Sequence, residues 1–153
     1  MSSIHRQDRI IDPREAWHRL LQVSSSVLRA LDQALDHRER ITVTEFDVLI
    51  TLANAPAHQL RMTDLARATM LSSGGMTRLV GRLEDRGLVR RDSDPGDARA
   101  FRATLTPAGQ RKLARARITH DAVLTRMITP RLTATDLRAL ERILAKLIND
   151  GDS

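Results

Sequence analysis

The chain has 153 residues, 41% of them apolar, enough for one domain, and with only Trp17, Phe46 and Phe101 aromatic its core must be aliphatic. A net charge of +6 and a pI near 11.2 fit an anionic partner, and fit a merely solvated basic surface equally well. The lack of cysteine excludes disulfides, a zinc ribbon and thiol switching, and the charged start Met1 to Arg9 and the absence of a ~20-residue apolar run make the cytoplasm the expected location.

After a polar N-terminal dozen, Pro13 can open a long helix whose stripe carries Trp17, Leu20, Leu21, Val27, Leu28, Leu31 and Leu35. Trp17 begins that stripe and reads first as a packing residue. Thr42-Val43-Thr44-Glu45 is a capping box opening a second helix with Phe46, Leu49, Ile50 and Leu52, which the turn Asn54-Ala55-Pro56-Ala57 ends.

Met62 to Thr69 forms a short supporting helix, and Met70 to Ser72 makes a turn. Ser72 or Ser73 can then cap a helix that meets Gly87 at its far end. Met76, Leu79, Val80 and Leu83 make its packing face, whereas Ser73, Thr77, Arg78, Arg82 and Asp85 fall largely on the free one. Gly74 and Gly75 in the first turn let the backbone approach a phosphate or base edge, and the first-turn amides attract anions.

Leu88 to Asp92 and Phe101 to Leu105 alternate like strands around Ser93 to Ala100, which predicts a β-hairpin with a long, charged tip. Arg99 near that tip suits a narrow minor groove, and Asp97 can hold the hairpin or the guanidinium in place. A helix-turn-helix followed by such a hairpin is a winged helix-turn-helix, and it points at double-stranded DNA. Between residues 60 and 105 nine arginines face six acids, and the three acids from Asp92 to Asp97 would repel phosphate unless they turn away or pair with arginine. Arg90 and Arg91 alternate, so only one of them faces a given side.

Thr106-Pro107 caps a helix carrying Leu113, Val123, Leu124, Met127 and Ile128, closed by Pro130. Thr133 to Asp136 caps a last helix with Leu137, Leu140, Ile143, Leu144, Leu147 and Ile148 on one side, ended by Asn149, Asp150 and Gly151. The expected fold is mainly α with a small hairpin wing. Residues 1–40 and 106–153 form a helical dimerisation region around a winged helix-turn-helix at 41–105, all within one compact domain. The terminal stripes are wider than one small winged domain can cover, so they pair across a homodimer or close as an intrachain bundle.

The sequence resembles the MarR family of bacterial transcription factors from roughly Glu15 to Ile148. The most specific stretches are Leu65-Ala66, Leu71-Ser72-Ser73-Gly74-Gly75-Met76-Thr77-Arg78-Leu79-Val80, Leu83-Glu84, Gly87-Leu88-Val89, Asp94, Asp97, Arg99, Leu105-Thr106 and Gly109. The resemblance implies a homodimer that places the helix from Ser73 in the major groove and a wing with Asp97 and Arg99 in the adjacent minor groove. Two such helices sit ~34 Å apart, so the site should be a pseudo-palindrome with half-sites ~10 bp apart. Ser72, Ser73, Gly74, Thr77, Arg78, Arg82, Asp97 and Arg99 are the candidate DNA-binding residues. Between Asp97 and Arg99 this wing has Ala98, where many relatives carry another base.

The resemblance further implies a repressor whose DNA affinity falls when a small aromatic or phenolic acid fills a cleft between the dimerisation helices and the winged lobe. Trp17, His18, Leu21, Asp47 and Arg78 are the candidate cleft residues, with Arg78 as the partner of an anion. Asp47 and Arg78 align with positions of the urate-responsive subgroup, whose extra N-terminal helix this sequence lacks. Asp47 has a plainer role open to it, pairing with an arginine or a helix N-terminus. His18 and His120 have no second ligand at i+4 and read as surface or interface residues, so no metal or cofactor is expected. No nucleophile pattern marks an enzyme. The alternative to a DNA-binding regulator is a winged-helix protein-interaction module whose basic face is incidental.

Overall fold

The computed structural model describes residues 12–69 and 71–149. The polar segment before Asp12, Met70 in the predicted turn, and Asp150 and Gly151 at the predicted last stop lie outside the described residues.

Helix α1 (Pro13–Glu39) starts where Asp12 accepts the Arg14 amide and Pro13 occupies the first turn. It buries only Leu31 and Leu35, near its C-terminal end. Helix α2 (Val43–Asn54) opens on the predicted capping box, Thr42 Oγ1 accepting from the Glu45 amide at 3.1 Å and Glu45 accepting from the Thr42 amide at 3.0 Å.

The strand β1 (Gln59–Arg61) leads into α3 (Met62–Ala68), and α4 (Ser73–Asp85) follows. Gly87 at φ +69° ends α4: its amide bonds Glu84 O at 2.8 Å and the Leu88 amide bonds Leu83 O at 2.9 Å, satisfying two terminal carbonyls. β2 (Val89–Asp94) and β3 (Asp97–Leu105) form the wing, and β3 is the centre of a three-stranded antiparallel sheet ordered β1-β3-β2. Both strands run further than their alternation suggested, so the predicted long tip is only Pro95-Gly96.

α5 (Pro107–Ile128) begins on Thr106, which accepts the Gly109 amide, and α6 (Ala134–Asn149) follows a Thr133–Asp136 capping pair. One apolar cluster runs through Leu35, Ile41, Leu49, Leu65, Met76, Leu83, Val89, Leu105, Leu113 and Ala116, so the winged lobe and its flanking helices share a core. α6 is different, because none of its described residues is buried. Leu137, Leu140, Ile143, Leu147 and Ile148 are exposed there, as are Leu21, Val23 and Leu28 on α1. Trp17 is 60% exposed, which corrects its reading as a packing residue of the single chain: α1 projects beyond the core before it reaches Leu31.

Candidate nucleic-acid interface

α4 owes its orientation to its apolar stripe. Met76, Leu79, Val80 and Leu83 are buried, which turns Ser73, Gly74, Thr77, Arg78 and Arg82 to solvent. Ser72 is the cap, its hydroxyl accepting the Gly75 amide at 3.2 Å, and Ser73 is the first helical residue. The two glycines differ: a methyl on Gly75 would sit 3.1 Å from that hydroxyl, whereas one on Gly74 meets nothing within 4 Å. Gly74 therefore leaves a bare patch of first-turn backbone facing outward.

The wing is fastened from within. Asp94 has a fully buried side chain and receives Arg61 Nε at 2.8 Å, Arg61 Nη2 at 3.1 Å, Arg102 Nε at 2.6 Å and the Gly96 amide at 2.8 Å. Hydrogen bonds from Arg61 and Gly96, with Arg102 beside them, hold this carboxyl well below the usual carboxylate range. Its neighbours are also occupied: Asp92 bonds Arg90 at 2.8 Å, and Asp97 accepts the Arg99 amide at 2.9 Å. Asp92 and Asp94 are thus neutralised by arginines of the lobe itself, whereas exposed Asp97 is oriented by a backbone amide and keeps its charge. Because the native pKa of Asp94 is depressed, its contribution is fully present above the ordinary carboxylate pKa of about 4 and is lost only as pH falls further. Hydrogen exchange at the Gly96 amide should therefore show equal protection at pH 7 and 5, whereas Asp94→Ala, which removes the acceptor, should lose that protection at neutral pH. Equal protection in the two proteins would contradict the anchoring role.

Arg99 stays exposed, and it lines a groove of about 370 Å³ with Thr77 of α4 and with Arg61, Arg91 and Phe101. The helix and the wing that carry the candidate residues thus flank one basic hollow. Thr77 donates its hydroxyl to Ser73 O at 3.0 Å and still has lone pairs to offer. Arg91 is partly committed, donating to Glu84 at 2.7 Å, so of the two neighbouring strand arginines it is the one turned to α4.

Arg82 lies 3.8 Å from Glu45, a pairing the sequence did not suggest. Glu45 has a nearly buried side chain and also receives Arg86 at 3.3 Å, while Arg86 donates to Arg40 O at 2.7 Å. Glu45 therefore caps α2 and holds two arginines from the end of α4, one of which, Arg86, reaches on to the end of α1. Its capping motif was visible in sequence; its partners, 37 and 41 residues away, were not.

The candidate cleft residues are less convergent. α1 meets α2 where Asp32 accepts the Val43 amide at 3.0 Å. Trp17 lies fifteen residues before Asp32, or about 22 Å along the helix, so within one chain Trp17, His18 and Leu21 do not approach Asp47 and Arg78. Asp47 forms no ion pair with an arginine among the described residues. Loss of solvation raises its carboxyl pKa, opposed by nearby His120, which stacks on Phe46 at 4.7 Å between ring centroids. Among the described residues no three His or acidic side chains are grouped to hold a metal ion, and no helix is long and apolar enough to cross a membrane.

The fold and this interface define a winged helix-turn-helix protein. A MarR family profile matches residues 41–100. An HTH-type transcriptional repressor of Mycobacterium tuberculosis is 34% identical over 110 residues, 72% of this chain and 77% of that protein. The structure of Sco3205, a MarR family transcriptional regulator from Streptomyces coelicolor in complex with DNA, superposes with a TM-score of 0.84 at 26% identity, covering 92% of this chain and 88% of that one. CouR from Rhodococcus jostii RHA1 bound to p-coumaroyl-CoA gives 0.72 at 27% identity, covering 84% and 88%. The chain belongs to the MarR family of transcriptional regulators.

Proposed function

We propose that the chain is a homodimeric, sequence-specific DNA-binding repressor whose affinity for a pseudo-palindromic operator is lowered by a small aromatic or anionic effector. The observation that carries DNA binding is the pairing of α4's free polar face with exposed Arg99 across one basic groove, while Asp92 and Asp94 of the wing are neutralised by arginines. The DNA complex of Sco3205 supports it. Ser73, Gly74, Thr77 and Arg78 enter the major groove, Arg99 enters the minor groove, and Ser72 and Asp97 hold their backbones in shape. Arg82 contacts phosphate from its position beside Glu45.

The exposed apolar faces of α1 and α6 support the dimer, with residues 1–40 and 106–153 as its dimerisation region. Effector response is supported by the acyl-CoA complex of CouR. Trp17, His18 and Leu21 join Asp47 and Arg78 in one cleft only if one protomer's α1 meets the other's winged lobe. An effector there acts by favouring a dimer with the wrong spacing of recognition helices.

Selection of bound fragments from genomic DNA, followed by salt titration on the best fragment, tests this reading. Specific binding should weaken by roughly 10³-fold between low and physiological salt, whereas a protein-interaction module would select no fragment. On that fragment, Arg99→Ala should weaken binding to specific and unrelated sequences alike, and Thr77→Ala should change which sequences are preferred. Loss of a single base preference in Arg99→Ala would count against its assignment to the minor groove.

A further inference from the structure

Among the described residues three polar side chains are buried: Glu45, Asp94 and Thr119. Glu45 and Asp94 are held by arginines and amides. Thr119, midway along α5, makes no hydrogen bond among the described side-chain contacts, although Thr51, Thr69 and Thr77 each donate to the carbonyl four residues back. Among the described residues the buried side-chain atom without a partner is Thr104 Oγ1, so the Thr119 hydroxyl is not sealed away but stays open to the cleft it lines.

Thr119 lines a cleft of about 220 Å³ between α1 and α5, with Ala34, Ala122 and Val123 as small apolar walls and Arg38 and Arg126 completing the lining. Both arginines are exposed, and neither forms an ion pair among the described residues. The nearest acids on α1 are already engaged, Asp36 with Arg40 and Glu39 with Lys112 and Arg115. Two guanidiniums on one small cleft repel each other until an anion lies between them.

We propose that this cleft binds a compact oxyanion of phosphate size, held by Arg38 from α1 and Arg126 from α5 with the Thr119 hydroxyl as a third donor. Guanidinium forks match phosphate oxygens in pairs, and two of them balance a dianion. Alanine walls leave room for four oxygens and provide no ring for an aromatic ligand to stack on. Neither Asp47 nor Arg78 is among the residues that line it. Bound anion would clamp α1 to α5, and α1 is capped by Arg40, whose carbonyl accepts from Arg86 at the end of α4. An effect on DNA affinity therefore rests on the proposed function, whereas occupancy is measured without DNA.

The test is calorimetric titration of the full chain with inorganic phosphate, at ionic strength fixed with chloride. One phosphate per protomer is expected, weakened at least tenfold in Arg38→Gln and in Arg126→Gln and unchanged in Arg29→Gln, a charge control elsewhere on α1. Thr119→Val should weaken binding severalfold, and Thr119→Ser, which keeps the hydroxyl, should restore it, with helical circular dichroism unchanged throughout. Glycerol phosphate binding as well as free phosphate would assign the site to phosphate esters; its failure to bind would assign it to the free ion. Absence of binding, equal affinity in the Arg38 or Arg126 variants, or an equal loss in Arg29→Gln would overturn the proposal.

Discussion

Gly109→Ala should be the most damaging of the glycine-to-alanine substitutions among the described residues, costing about 3 kcal/mol of stability. A β-carbon at Gly109 would lie 2.1 Å from Leu88 O and 2.6 Å from Leu105 Cδ1, and the first of these is backbone that no rotamer change can clear. Leu88 O also accepts from the Thr106 amide at 3.2 Å and from the Thr106 hydroxyl at 3.1 Å, while that hydroxyl caps α5 through the Gly109 amide at 3.0 Å. Moving the first turn of α5 away to admit a methyl would break this set of bonds where the wing's base meets the long helix. For a chain of this size the loss corresponds to roughly 6–12 °C in Tm. Gly81→Ala is the matching control, since a methyl there meets nothing within 4 Å in the middle of α4, and it should add about 0.5–1 kcal/mol. Urea unfolding of both variants at one protomer concentration compares them. A Gly109→Ala protein as stable as the Gly81 variant would refute the close packing of α5 on Leu88.

Ile143→Glu should convert the proposed dimer to a monomer and lower operator affinity by roughly 10²- to 10⁴-fold, the factor gained when two linked half-site contacts act together. Ile143 is 52% exposed on α6, a helix with no buried residue among those described, and Leu140 and Leu147 lie three residues before it and four after on the same exposed side. A charge there disturbs no buried contact of the single chain, so the monomer should keep its helical circular dichroism. Sedimentation at micromolar concentration reads the change directly. A variant that remains dimeric, or a wild-type chain that sediments as a monomer, would remove α6 from the interface.

Local chemistry made most of the helix boundaries legible. Thr42, Thr106 and Thr133 each declared a helix start because a cap and its partner lie within three residues. Ser72 and Gly87 bracketed α4 in the same way, and the apolar spacing between them fixed which face stays free. Long-range partnerships left no such trace. β1 is three residues long and exists because it pairs with β3 some forty residues later, too short for alternation to mark it. The wing's acids looked hostile to DNA in sequence because one of the two arginines that hold Asp94, Arg61, lies 33 residues upstream. Trp17 misled for the opposite reason, since its stripe is real but α1 enters the buried core only at Leu31 and Leu35, while Leu20 and Val23 line an open apolar hollow with Met127, Ile128 and Leu140. Arg99 and Thr77 were each legible as candidates, while the groove that unites them follows from how the wing folds back beside α4.

The central claim is that two copies of the α4–wing unit read DNA about a two-fold axis. Hydroxyl-radical footprinting on a fragment selected from genomic DNA tests it most directly. The account predicts two equal, symmetry-related sets of protections with recognition-helix centres ~10 bp apart, each flanked by a minor-groove protection that disappears in Arg99→Ala. A single asymmetric footprint, or minor-groove protection unchanged by that substitution, would contradict it.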